Sequence, residues 1–132
     1  MILDERVQVT SNEIVRLCLF GFHASFAETN QVLNLLGLYT LAKRSRKGNK
    51  NASGLTRLNE YRDNGGKQRL SLRFIGERSG GLSASLIHRI LVGDRPATRP
   101  VVIRLCGWGW ERTLADTNDA LNDFDFGSLS QM

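Results

Sequence analysis

The stretch "GLSASLIHRILVGDRP" (residues 81–96) carries the clearest structural signal in this sequence. Ser83 precedes apolar residues that recur at spacings of three and four, and Gly93 ends the pattern. Serine is a favoured helix N-cap, glycine is favoured just after a helix, and the spacing matches one helical face. The stretch therefore predicts a short amphipathic helix with a polar outer edge. Its apolar residues are Leu86, Ile87, Ile90 and Leu91.

Further helices are predicted on both sides of this stretch. Ser71 is a candidate cap for the next helix upstream, although the alternation of apolar residues at 70–75 is also compatible with a strand. Downstream, Pro100 lies where a first helical turn tolerates proline. The predicted helices cover residues 55–62, 71–79, 83–91, from about 99 onward, and 111–122.

The N-terminal segment, residues 1–44, predicts a helical hairpin. Two capping boxes, Thr10 with Glu13 and Ser25 with Glu28, each precede an apolar run with helical spacing. No repeat with the period of a solenoid protein is evident.

Positive charge is concentrated in the middle of the chain. The 132 residues carry a net charge of +5, and residues 43–69 hold nine basic against two acidic side chains. Such a surface is typical of proteins that bind polyanions. The start of the chain has no secretory pattern, and no apolar run is long enough for a membrane span, so a cytoplasmic protein is expected. Cys18 and Cys106 lie in apolar stretches and are expected to be buried, reduced thiols.

These signals divide the chain into four segments and predict an all-α fold. A chain of 132 residues can bury a core without disulfides. The expected segments are a helical hairpin at 1–44, a basic linker at 45–54, a helical domain at 55–110, and an acidic helix and tail at 111–132.

The central segment resembles a known family. "IGERSGGLSASLIHRI" (residues 75–90), followed by "LVGDRPATRPVVIRL" (residues 91–105), resembles the Cro/repressor helix-turn-helix family, and the resemblance covers roughly residues 54–110. It implies a helix-turn-helix core of four to five short helices. The sequence departs from the family pattern at Gly76, where alanine is usual, and in the paired glycines Gly80 and Gly81, which add one residue to the turn.

The resemblance implies that the helix after Ser83 enters the major groove of double-stranded DNA. Its leading and outward residues would then face base edges, and nearby groups would contact phosphates. The expected base contacts are Ala84, Ser85, His88 and Arg89. The expected phosphate contacts are Ser83, Arg95 and Arg99.

Two further surfaces are predicted. The basic run of Lys43, Arg44, Arg46 and Lys47 is either a solvated loop or an arm that contacts phosphates. Proteins of this kind commonly bind DNA as homodimers, and the N-terminal hairpin is more apolar than a helix-turn-helix requires. Its candidate dimerisation residues are Phe20, Phe22, Phe26, Leu33 and Leu36.

The sequence offers little for catalysis. It contains no nucleophile motif, phosphate-binding loop or metal-ligand spacing, so no enzyme activity, cofactor or small-molecule substrate is predicted. The predicted function is that of a sequence-specific DNA-binding transcriptional regulator, most simply a repressor from a phage, plasmid or other mobile element. Two alternatives stay open: a DNA-binding accessory factor for replication, partition or conjugation, and a protein-binding inhibitor or adaptor with a basic surface.

Overall fold

Short helices make up most of the part of the chain that the structure describes, as predicted. A computed structural model describes residues 11–36, 48–63, 71–127 and 129, and these ranges contain seven α-helices. The helices are α1 (Ser11–Arg16), α2 (Phe26–Leu35), α3 (Ala52–Asp63), α4 (Leu72–Arg78), α5 (Ala84–Leu91), α6 (Arg99–Ile103) and α7 (Leu114–Asp123). Two of them continue as a π-helical turn, α1 through Leu17–Gly21 and α6 through Arg104–Gly109.

Serine and threonine caps begin four of the helices. Ser25 and Glu28 form the predicted capping box before α2, and Ser71, Ser83 and Thr113 each accept a hydrogen bond from a main-chain amide three residues later. Hydrogen bonds with Ser25 lower the pKa of the Glu28 carboxyl; the Ser25 amide has the larger effect and the Ser25 hydroxyl the smaller one. These local signals explain why helices rather than strands form here. The proposed capping box at Thr10 lies outside the described residues.

A two-residue strand pair was not anticipated by the sequence. Strand β1 (Gly48–Asn49) pairs antiparallel with β2 (Ala97–Thr98), with Gly48 opposite Thr98. A Cβ atom at Gly48 would lie 2.7 Å from the Ala97 oxygen, so glycine permits this close approach. Strand β1 and the first turn of α3 both fall inside the stretch expected to be a linker.

The N-terminal and C-terminal helices share one buried core. Buried residues from Ile14 to Leu129 form a single cluster. The rings of Phe26 and Trp108 meet edge to face, with centroids 5.4 Å apart, and Trp108 Nε1 donates to the Ala24 oxygen at 2.9 Å. The predicted division into four segments stays a prediction. Cys18 and Cys106 are buried free thiols, as expected, and burial raises the pKa of Cys106.

The two hairpins of this fold are copies of one pattern. "RLCLFGFHASFAETNQVLNLL" (residues 16–36) and "RLCGWGWERTLADTNDALNDF" (residues 104–124) lie 88 positions apart and are identical at nine of 21 positions. In both, an α-helix ends in a π-helical turn, a residue with positive φ follows, and a hydroxyl-bearing N-cap begins the next helix. The positive-φ residues are His23 (55°) and Glu111 (52°), and the N-caps are Ser25 and Thr113.

Hydrogen bonds recur at equivalent positions of the two hairpins. The Phe22 amide donates to the Leu17 oxygen at 2.8 Å, and the Trp110 amide donates to the Leu105 oxygen at 2.7 Å. The buried hydroxyls of Thr29 and Thr117 each donate at 2.9 Å to the main-chain oxygen four residues earlier. The hairpins therefore repeat in structure as well as in sequence.

Equivalent residues of the two hairpins also meet. Leu19 and Gly107 occupy the same position in the repeat, and the Leu19 side chain fills the space that a Cβ at Gly107 would need. Contact between equivalent residues is what a local two-fold relationship produces.

Candidate nucleic-acid interface

Helices α4 and α5 pack against each other across a short turn. Gly80 and Gly81 both adopt positive φ, at 90° and 92°, a conformation that glycine adopts without a Cβ clash. The amides of Gly81 and Leu82 donate to the Gly76 oxygen at 2.9 and 3.0 Å, which closes the end of α4. The second glycine is thus part of an ordered turn.

Gly76 is the point of closest approach between α4 and this turn. It is buried, and an added Cβ would lie well inside contact distance of the Leu82 oxygen and 3.3 Å from Ile87 Cδ1. Glycine, with no Cβ, permits this close approach. The alanine that is usual in the resembling family does not fit unless the turn moves.

Helix α5 has one buried edge and one exposed polar edge. Ser85, His88 and Arg89 are exposed, while Ala84 is half-buried. Within the part of the chain that the structure describes, the side chains of these three exposed residues have no hydrogen-bond or ion-pair partner. The structure therefore brings the expected base-contacting residues together on one surface. The opposite edge is formed by Ile87, Ile90 and Leu91, all buried.

Arg104, the first residue of the π-helical turn after α6, holds the α4–α5 turn in place. Its Nε donates to the Ser79 oxygen at 2.8 Å, its terminal nitrogen donates to the Gly80 oxygen at 3.0 Å, and its guanidinium lies 4.3 Å from the Phe26 ring centroid. Burial lowers the pKa of this guanidinium. A cation bonded to the last carbonyls of a helix is favourable because those oxygens have no partner in the helix. No signal in the sequence indicated this role of Arg104, because it depends on long-range contacts.

A second arginine makes the reciprocal contact. Arg78 at the end of α4 donates through two nitrogens to the Gly109 oxygen, at the end of the π-helical turn that follows α6. Gly109 permits the approach, because a Cβ there would lie 2.6 Å from Ser79 Oγ and 2.8 Å from Ile75 Cγ2. Each of these two segments therefore supplies an arginine to the other: Arg104 bonds to the end of α4, and Arg78 bonds to the end of the π-helical turn that follows α6.

The expected phosphate-contacting residues differ in availability. Arg95 is exposed, and Ser83 Oγ is already used as the cap of α5, accepting from the Leu86 amide at 3.1 Å. Arg99 is half-buried, and its Nε donates to the Gly127 oxygen at 2.8 Å. Burial lowers the pKa of the Arg99 guanidinium. Arg95 is thus the most accessible cation of this set.

The predicted basic arm lies outside the described residues, and its four members are Lys43, Arg44, Arg46 and Lys47. Gly48, the next residue along the chain, is paired with Thr98 in the β1–β2 strand pair. This pairing fixes Gly48 against the loop between α5 and α6.

The residues proposed for dimerisation fall into two groups. Leu33 is fully buried in the core, and Phe26 packs against Trp108, so both contact their own chain. Phe22 and Leu36 are exposed, at 75% and 53%. Phe20 is half-buried and lines a cavity of 510 Å³ between the two hairpins.

The described ranges hold no cluster of His, Cys, Asp and Glu able to bind a metal ion, and no helix in them is long and apolar enough to cross a membrane. Comparisons with protein-family models, with curated proteins and with solved structures found no match.

Proposed function

We propose that the chain is a sequence-specific double-stranded DNA-binding protein, most simply a transcriptional repressor of a phage, plasmid or other mobile element. The observation that carries the proposal is the exposed polar edge of α5, where Ser85, His88 and Arg89 lie opposite a fully buried edge. In helix-turn-helix proteins the second helix of the motif lies in the major groove. Helix α5 follows α4 and its turn in the order that such a motif requires.

The side chains on this edge suit base recognition. The exposed Arg89 can donate two hydrogen bonds to O6 and N7 of guanine, and the Ser85 hydroxyl can donate to or accept from any base edge. The half-buried methyl group of Ala84 is suited to contact with a thymine methyl. A rigid support matters because readout needs fixed geometry, and Arg104 supplies it by holding the turn before α5.

Phosphate contacts are proposed on both sides of this edge. The first-turn amides of α5 next to Ser83 are suited to a phosphate oxygen, and Arg95 is exposed in the loop that follows the helix. The basic arm joins the same loop region through Gly48 and β2. These contacts would supply affinity and orientation rather than sequence preference.

Selection of bound sequences from a random duplex pool, repeated at two salt concentrations, tests the proposal. The expected result is one motif whose members keep their advantage over random duplex at the higher salt concentration, because base contacts are less salt-sensitive than phosphate contacts. If the chain binds all sequences alike and this binding is lost at the higher salt concentration, the chain is a general polyanion binder instead.

A further inference from the structure

Among the described residues, one face of the N-terminal hairpin lacks the covering that its C-terminal copy has. Gly109 is packed under α4, whereas the described atom nearest to a Cβ at the equivalent Gly21 would be Leu17 Cδ2, at 4.0 Å. Leu17 is 51% exposed, whereas the equivalent Leu105 is fully buried. No described helix therefore covers the first hairpin as α4 covers the second.

The same contrast extends to α3. Phe124, at the end of α7, is fully buried because its ring lies against Gly54 of α3. Its equivalent in the first hairpin is Leu36, which is 53% exposed. In the part of the chain that the structure describes, both helices that cover the second hairpin thus lack a counterpart on the first.

The polar group needed for such a contact is also duplicated. Arg104 binds the carbonyls at the end of α4, and its equivalent is Arg16. Among the described residues, the Arg16 side chain has no hydrogen-bond or ion-pair partner. The first hairpin therefore presents an arginine, a glycine and apolar side chains in the arrangement that binds α3 and α4 elsewhere in the chain.

One difference between the copies indicates what would cover this face. Asp123 pairs with Arg57 of α3 at 2.7 Å, but its equivalent is Leu35, which is 80% exposed. If a second copy of this chain were bound at this face, its Arg57 would lie against the apolar Leu35 side chain and could not form the ion pair. The protein that fits this face therefore has an apolar residue at the position that corresponds to Arg57.

We propose that the face of the N-terminal hairpin formed by Arg16, Leu17, Gly21, Phe22 and Leu36 binds a different protein that presents two helices arranged like α3 and α4. The second helix of this partner ends with open carbonyls for Arg16 and supplies a donor for the Gly21 oxygen, as Arg78 does for Gly109. Its first helix places an apolar side chain against Leu35. The inference does not depend on DNA binding.

A labelled peptide serves as the probe for this face. It spans residues 48–83 of this chain, which include α3 and α4, and is made with and without Arg57→Leu. Fluorescence anisotropy then measures its binding to the full-length chain and to the full-length Leu35→Asp variant. We expect the wild-type chain to prefer the Arg57→Leu probe, and the Leu35→Asp chain to prefer the unsubstituted probe, each by about fivefold.

Two surface variants test the location of binding. Leu17→Arg places a charge on the proposed face and should weaken binding of the Arg57→Leu probe by about tenfold. Val92→Arg, which adds the same charge at the exposed residue just after α5, should leave it unchanged. Thermal unfolding of both variants checks that the fold is intact.

Three results would overturn the proposal. One is the absence of saturable probe binding, and another is a probe preference that does not reverse with Leu35→Asp. The third is self-association of the wild-type chain that Leu17→Arg abolishes, because a second copy would then be the occupant.

Discussion

Arg104 and Ser79 are joined by a 2.8 Å hydrogen bond from the guanidinium Nε to the main-chain oxygen, which ties α6 to the turn before α5. We expect Arg104→Ala to lower the free energy of unfolding by about 2 kcal/mol, because two bonds from a charged donor, to the Ser79 and Gly80 oxygens, are lost. The variant should also speed hydrogen exchange at the amides of Gly81 and Leu82, which form the turn. Urea unfolding and exchange measurements check both effects.

Arg73→Ala is the matched control for this variant. Arg73 is 88% exposed and lies 3.7 Å from Glu77 on the same helix, so its loss should cost less than about 0.5 kcal/mol. Equal effects of the two substitutions would show that Arg104 does not support the turn.

Gly76→Ala should destabilise the fold because its Cβ cannot fit beside the Leu82 oxygen. Overpacking of this kind typically costs about 1–3 kcal/mol. Gly21→Ala is the control, since its Cβ has open space and a helical glycine-to-alanine change stabilises by roughly 0.5–1 kcal/mol. Thermal and urea unfolding of both variants measure the difference. A Gly76→Ala variant as stable as wild type would mean that the turn can move away from α4 at little cost.

Stability should fall above about pH 10 through Tyr61. Burial, followed by the charge of Asp116, raises the pKa of Tyr61 from 10.0 to about 12. The unfolded state therefore loses the proton first, and the stabilisation present below pH 10.0 is lost as the pH rises towards 12. Tyr61→Phe also removes the 2.7 Å bond from the hydroxyl to the Asp116 oxygen, which should cost about 1 kcal/mol at neutral pH.

Urea midpoints measured from neutral pH upward check this effect. The decline above about pH 10 should be smaller in Tyr61→Phe than in wild type. Identical alkaline profiles would contradict the assigned role of Tyr61.

Much of the helical pattern could be predicted because its signals are local. The caps at Ser25, Ser71 and Ser83 act within three residues, and all three form as expected. The helix expected over 111–122 begins instead at Leu114, because Thr113 is its cap.

Other features depend on contacts far apart in the chain and left no local signal. The β1–β2 pair joins residues 48 and 98, and the role of Arg104 follows from the position of a turn 24 residues away. The helical spacing of α5 alone predicted its outward edge. In the N-terminal hairpin, spacing could not distinguish the core residues Phe26 and Leu33 from the exposed residues Phe22 and Leu36. The repeated hairpin is readable in the sequence, but only when stretches 88 positions apart are aligned.

The basic arm can be tested by its salt dependence. Replacing Lys43, Arg44, Arg46 and Lys47 by glutamine should flatten the plot of log affinity against log salt concentration, by about 0.9 units for each phosphate contact removed. The sequence preference should not change, because phosphate contacts carry no base information. An unaltered slope in filter-binding titrations would identify the run as a solvated loop.

The proposed base readout by the outward edge of α5 can be tested directly. The measurement is the affinity of wild-type and Arg89→Ala chains for a selected duplex and for all its single-base variants. We expect Arg89→Ala to lose about 1–3 kcal/mol of discrimination at one guanine and to keep the preferences elsewhere. Arg16→Ala, which removes the same charge from the N-terminal hairpin, should keep the full pattern. An Arg89→Ala chain that retains every base preference of the wild type would show that Arg89 does not read a base.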